Sequence, residues 1–281
     1  MKTLSRREEM RRLGASFRSG KLRVGFVPTM GFLHDGHISL MEEAKKRTDI
    51  IVVSIFVNPL QFGPSEDLAR YPRDPAGDAA KCRNAGVDYL FTPNVSEMID
   101  EDPLVFAGMS KLTNVLCGVS RPGHFQGVAT IVLKLLNVVQ PSLLYLGAKD
   151  FQQTVVIGQM VRELFLPVKV IVRPTVREKD GLAMSSRNSY LFPEERKAAT
   201  VLYRAMKLVE AKLKTGERSA ELLKAIVLRE IGNEPSARLD YAEIVNPATL
   251  EPLMRIEKEA RLVLAVWIGK TRLIDNLSLK P

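Results

Sequence analysis

Cysteine is scarce: Cys82 and Cys117 are the only two in 281 residues, and no CxxC occurs. That excludes a disulfide framework and a thiolate zinc site, and both thiols read as ordinary buried side chains. Long apolar runs are missing too. Crossing a bilayer takes roughly 18 apolar residues in a row, and the best run here, "DIIVVSIFVNP" at 49–59, is strand-length and ends in Asn58-Pro59. The N-terminus, "MKTLSRREEMRRLGASFRSGKLR", is basic, but its apolar residues are scattered and form no signal-peptide core. A cytoplasmic chain with no membrane segment is therefore expected. Glycine-rich phosphate cradles are absent as well: no G-x-G-x-x-G follows the strand pattern at 23–30, and "WIGKT" at 267–271 lacks the earlier glycine of a P-loop. There is no internal repeat and no low-complexity tract.

What remains suits a folded chain. Hydrophobic residues make up 46% and charged residues 26%, as in globular rather than disordered proteins. The length suggests two domains. The net charge is +9, but residues 1–23 hold eight Lys/Arg against two Glu, so the excess sits largely at one end. With no recognisable nucleic-acid module, the basic balance suits an anionic small molecule or an exposed helix face rather than RNA or DNA.

From residue 23 the apolar pattern alternates between the two periods. "RVGFVPTM" (23–30) predicts a strand, "HISLMEEAKKR" (37–47) an amphipathic helix and "DIIVVSIFVN" (49–58) a buried strand. Helix then strand recur in "GDAAKCRNAG" and "VDYLFTP", in "GVATIVLKLLNVVQ" and "LLYLGA", and in "DFQQTVVIGQMVRELF" and "VKVIVRP". That order predicts a Rossmann-like, doubly wound parallel sheet over residues 1–175. Beyond it come a long charged helix from Pro193 to Lys214, another near 218–231, and three strand-like segments, "ARLDYAEIVNP", "ARLVLAVWIG" and "TRLIDNLSL". A smaller C-terminal α+β domain over 176–281, with an antiparallel sheet, is expected.

"PTMGFLHDGH" (28–37) concentrates two of the three histidines, His34 and His37, where a parallel sheet binds ligands: after a strand, at a helix start near Gly36 or His37. Two readings fit the residues. The imidazoles can simply cap the helix, or they can join its free N–H groups in holding phosphate oxygens.

H-x-G-H after such a strand resembles the signature of the nucleotidyltransferase superfamily. Further segments narrow the likeness: "SIFVNPLQF", "YPRD", "RPGHFQGVATIVLKL", "GAKDFQQ" and "REKDGLAMSSRNSYL", with a weaker echo in "TRLIDN". Their order and spacing resemble the pantothenate synthetase, or pantoate–β-alanine ligase, family. The resemblance implies Mg-ATP activation of pantoate to an enzyme-bound pantoyl adenylate, attack by the β-alanine amine, and release of AMP and pyrophosphate. It implies small-molecule partners only (ATP, pantoate and β-alanine) and usually a homodimer.

Carried over residue by residue, the resemblance makes His34, His37, Lys149, Ser185 and Arg187 the catalytic set. Met30, Gly31, Phe32, Leu33, Asp35 and Gly36 join the two histidines around ATP. Arg121, His124, Gly147, Ala148 and Asp150 line the same nucleotide, as do Val176, Met184 and Ser186. Gln61 and Gln153 bind pantoate, with Gln61 also near β-alanine and Asn58 and Phe62 completing the pocket. Magnesium is carried mainly by the phosphates, with Asp78 a candidate carboxylate ligand. His37 is the family's acid/base residue, and a protonated imidazole stabilising pyrophosphate accounts for the same position. The family commonly has a small residue or asparagine at Phe32, threonine at Leu60 and "GEKD" for "GAKD". Phe32 is expected to crowd the nucleotide entrance, and Leu60 and Ala148 to alter pocket shape. A different H-x-G-H nucleotidyltransferase is opposed by "SIFVNPLQF" and "GAKDFQQ". A non-catalytic RNA-binding or partner-binding module is opposed by retention of all three histidines, Lys149 and "SSR".

Overall fold

The computed structural model describes residues 1–64 and 66–281. A six-stranded parallel sheet and a separate three-stranded antiparallel sheet organise the chain. The first contains β1 (Lys2–Leu4), β2 (Val24–Thr29), β3 (Ile50–Ile55), β4 (Tyr89–Phe91), β5 (Leu143–Gly147) and β6 (Lys169–Arg173). The helices among them are α1 (Arg7–Ser19), α2 (Asp35–Lys45), α3 (Pro75–Asn84), α4 (Val95–Met98), α5 (Cys117–Ser120), α6 (His124–Val139) and α7 (Phe151–Glu163). After them come α8 (Pro193–Ala198), α9 (Val201–Lys214) and α10 (Ala220–Gly232), then β7 (Ala237–Val245), β8 (Ala260–Ile268) and β9 (Thr271–Leu279).

The period-two rule of a strand explains why helices cover both faces of the large sheet. Phe26, Val52 and Leu144 point into one core with Met10 and Phe17 of α1 and the apolar face of α6. Their neighbours Val27, Ile51, Val53 and Tyr145 point into the other, with Leu40, Met41 and Ala44 of α2 and Cys82 of α3. Burying each such side chain contributes about 1.5–3 kcal/mol. Strand order is β1-β4-β3-β2-β5-β6. From β2 the chain winds outward through β3 to one edge, and β5 opens the winding to the other. The boundary between β2 and β5 is therefore the topological switch point, outside whose carboxyl ends such sheets bind ligands.

Three details differ from the sequence expectation. A strand that the pattern did not predict precedes the one before "GFLHDGH": Lys2–Leu4 pairs in parallel with β4 at the sheet edge, too short to show a period. The basic N-terminus forms α1, whose Met10, Gly14 and Phe17 are buried while Arg11 and Arg12 lie outside beside Glu8. The expected helix from Pro193 to Lys214 is two, because the backbone bonding tightens at its middle, with Thr200 N–H reaching Lys197 and Leu202 N–H reaching Ala199.

One contact sets how α6 meets the turn at Pro59–Gln61. A Cβ on Gly127 would lie 2.1 Å from the Leu60 carbonyl oxygen, and Asn58 Nδ2 donates to the Gly127 carbonyl at 3.1 Å. Only glycine admits this approach. Gly127→Ala is expected to lower the urea midpoint by an amount equivalent to about 1–3 kcal/mol; an unchanged midpoint would mean the turn yields freely.

Candidate active site

Between β2 and α2 the backbone turns through two successive left-handed residues, Gly31 (φ +87°) and Phe32 (φ +51°). Phenylalanine rarely adopts that region, and the conformation is held from α3: Asp78, 1% exposed, accepts the N–H groups of Phe32 (2.8 Å) and Leu33 (2.7 Å). Lys81 donates to the Leu33 carbonyl at 2.7 Å. So braced, the loop delivers His34 to the N-cap of α2. His34 Nδ1 accepts from the Gly36 N–H, and His37 Nδ1 accepts from the His34 N–H, both at 3.2 Å. The rings stand 4.1 Å apart. A Cβ on Gly36 would sit 2.8 Å from the His34 ring, so a larger residue would push the capping ring aside. Capping and ligand binding are therefore not alternatives. With each Nδ1 accepting a backbone hydrogen, each ring carries its proton on Nε2 and offers one donor.

Burial, followed by the charge of Lys149, lowers the His34 pKa to about 4. Burial, then His34 and Lys149, drives His37 well below the ordinary imidazole value. His124, lowered to about 4 by burial and by Arg121, uses the opposite tautomer. Its Nε2 faces the Arg121 guanidinium at 3.1 Å, and its Nδ1–H donates to the Gln61 carbonyl at 2.8 Å. All three rings are thus held towards the neutral form near pH 7.

Across the switch point, β5 ends at Gly147, and the turn Ala148–Asp150 places Lys149 opposite the histidines. Its ammonium has one carboxylate within 4 Å among the described residues, Asp150 at 3.7 Å. From the other side comes a hairpin, closed by the Arg177–Ala183 bridge and by Met184 N–H on Val176. Ser186 Oγ crosses to the Phe32 carbonyl at 3.2 Å, while Ser185 caps the following turn through the Arg187 N–H.

Both arginines are engaged by one loop. Glu66 grips Arg121 at 2.6 and 2.7 Å, and Asp67 grips Arg187 at 2.8 and 2.9 Å. Burial, the largest single influence, opposes ionisation of these two carboxylates, but the guanidinium hydrogen bonds and charge together with backbone N–H bonds outweigh it and hold both pKa values below the usual carboxylate range. Sequence reasoning missed both acids; nothing in "GPSEDLAR" distinguishes them from a solvated loop.

Two adjoining cavities, of about 220 and about 310 Å3, meet along Lys149, Asp150, Gln153 and Arg187. The smaller takes Met30, His34, Gly36 and His37 from the first loop, Asn58 and Gln61 from the second, and Gly147 from β5. Arg121 and His124 also line it, as do Val176, Met184, Ser185 and Ser186. Gly31, Phe32, Leu33 and Ala148 contribute backbone beneath this wall but do not line either cavity, and Asp35 is exposed. Phe62 turns away to pack edge-on against Tyr71 at 6.0 Å. Asn58, 1% exposed, supports Gln61 by donating to its Oε1 at 3.0 Å. Asp78 faces the first loop with both oxygens occupied, which places it as a brace rather than at the position expected of a metal ligand.

The imidazoles link stability to pH. Unfolded, each binds its proton near pH 6.5; folded, His34 and His124 do so only at about 4. Between those values the unfolded chain holds more protons, so stability falls as pH drops through this window. His34→Gln and His37→Gln are each expected to flatten the decline in urea midpoint from pH 7 to 5; slopes equal to the parent's would refute rings held neutral by the fold.

The match to known proteins covers the whole arrangement. The family model for pantoate-beta-alanine ligase fits residues 2–278. A pantothenate synthetase of Moorella thermoacetica is 50% identical over 266 residues, 95% of this chain and 94% of that protein. The crystal structure of pantothenate synthetase from Thermus thermophilus superposes with a TM-score of 0.93 at 47% identity, covering 100% of both chains. A pantoate-beta-alanine ligase from Francisella tularensis, complexed with beta-gamma ATP and beta-alanine, gives 0.83 at 36% identity, over 99% of this chain and 97% of that one. With its histidine-capped helix and lysine facing each other at the switch point of such a sheet, the chain belongs to the pantoate–β-alanine ligase family.

Proposed function

We propose that this chain condenses (R)-pantoate with β-alanine at the expense of ATP, giving pantothenate, AMP and pyrophosphate. The observation that carries the reading is the convergence of His34, His37 and Lys149, from two neighbouring strands, on one cleft. In the first step a pantoate carboxylate oxygen attacks the α-phosphorus of ATP, and the bond to the bridging oxygen breaks to release pyrophosphate. Two anions must be brought together, so cations and donors that need no rearrangement lower the barrier most. Lys149 supplies a compact charge between carboxylate and α-phosphate. The two Nε2–H groups receive phosphate oxygens at the positive end of α2. Negative phosphate beside the rings raises their proton affinity, reversing part of the depression found without ligand.

Ser185, Ser186, Arg187 and Arg121 complete the phosphate shell, and Met184 and Val176 border the base. Gln61, oriented by Asn58, and Gln153 recognise the polar groups of pantoate. In the second step the β-alanine amine attacks the acyl carbon, AMP leaves and the amine loses a proton. No nucleophilic side chain is required, because the adenylate is already an activated acyl group. Among the described residues no three of His, Cys, Asp and Glu gather to share a metal ion. Magnesium entering with ATP would take its oxygens from phosphates and water, screening their charge. Family resemblance extends the proposal to a cytoplasmic homodimer, and no helix among the described residues is long and apolar enough to cross a membrane.

Pyrophosphate release is expected to require ATP and pantoate, and AMP release with pantothenate formation to require β-alanine too; release independent of pantoate would defeat the reading. His37→Ala and Lys149→Ala should each cost more than about 3 kcal/mol of transition-state stabilisation with little change in thermal midpoint. Full activity in either removes that residue from the mechanism.

A further inference from the structure

The last strand of the small sheet reaches into the cleft with two consecutive buried side chains, Asp275 and Asn276, 3% and 6% exposed. Asn276 Nδ2 donates twice, at 2.9 Å each, to the carbonyls of Ala148 and Lys149. Asp275 takes Arg177 in a bidentate pair at 2.6 and 2.9 Å. Arg177 in turn donates to the Gly181 carbonyl at 3.0 Å and lies over the Tyr203 ring at 4.9 Å. One residue thus holds the turn bearing Lys149, and its neighbour holds the hairpin bearing Ser185 and Arg187.

Lys149 needs such support. A lysine is a point charge on a flexible four-carbon stem, and among the described residues only the 3.7 Å approach of Asp150 forms an ion pair with this ammonium. Its position is therefore set chiefly by its backbone, and the only side chain among the described residues bonded to the carbonyl at that residue belongs to Asn276. Docking of β9 does not depend on this amide, since Asp275 and Arg177 already tie the strand to the hairpin. We propose that Asn276 is a positioning residue: it fixes the Lys149 turn against β9, so that the ammonium is aimed at the triphosphate before substrate arrives. The inference deepens the adenylation reading above and rests on it for the identity of the anion.

Asn276→Ala, and Asn276→Leu, which fills the same space without donors, are to be compared with the parent and combined with Lys149→Ala. Each single variant is expected to lower kcat for pantoate-dependent pyrophosphate release by about 10-fold or more, the scale on which misplacing a reacting group acts. The KM for β-alanine should stay within about 2-fold. In the Lys149→Ala background the same substitution should change kcat by less than about 2-fold, because a residue acting through another has nothing left to lose. Additive losses, unchanged kcat in the single variants, or loss of the folded circular-dichroism signal in both would each overturn the proposal. Calorimetric titration with a non-hydrolysable ATP analogue separates this from failure of the ligase reading. Affinity should fall several-fold with Asn276→Ala, but not in the Lys149→Ala background, even if pantoate is not the acid activated.

Discussion

What the two histidines offer an anion depends on a carboxylate that never faces it. Asp78 spends both oxygens on the amides of Phe32 and Leu33, and so holds a phenylalanine in a backbone conformation it would otherwise leave. Without that clamp the chain could not turn sharply enough after β2 to start α2 at His34. The interlocked caps would then be lost, and with them the choice of ring tautomer. A local strain of about 1–3 kcal/mol is typical for such residues, and here it is offset by two charge-assisted bonds in a buried setting.

The site is consequently a preformed set of neutral donors with one compact cation, rather than a cluster of positive charge. Neutral imidazoles accept burial readily, whereas two imidazolium rings 4.1 Å apart would repel each other and Lys149. Donors that carry little net charge need not be neutralised before the ligand enters, yet can gain proton affinity once phosphate is present. The arginines follow a different rule: each has its countercharge in place, close and bidentate.

How far this could be read beforehand depended on whether the signal was local. Alternation in β2 and β3, and the helical period of α2 and α6, were visible because each buries a regular face. The three residues of β1 had no room for a period, and the tightening at Thr200 left no mark in the charged helical pattern around it. Within the site, "HDGH" and "GAKD" stood out because they follow strands. Glu66, Asp67 and Asn276 did not, since an acid or amide in a polar stretch acquires meaning only when folding brings it to a partner 55, 120 or 127 positions away. Asp78 was noticed for its charge, as a candidate metal ligand; its burial and its two amide partners add a mechanical task that no sequence pattern shows.

Glu66 and Asp67 are neighbours in the chain, and their arginines come from opposite walls of the cleft. A single peptide bond therefore joins the two ion pairs, with Tyr190 Oη adding a further tie to Asp67 at 3.3 Å. The two walls cannot separate with both pairs intact, since one dipeptide cannot follow both arginines. Parting the walls therefore leaves at least one half-buried carboxylate and guanidinium without its countercharge, a cost that added salt, which screens such sheltered pairs little, does not remove.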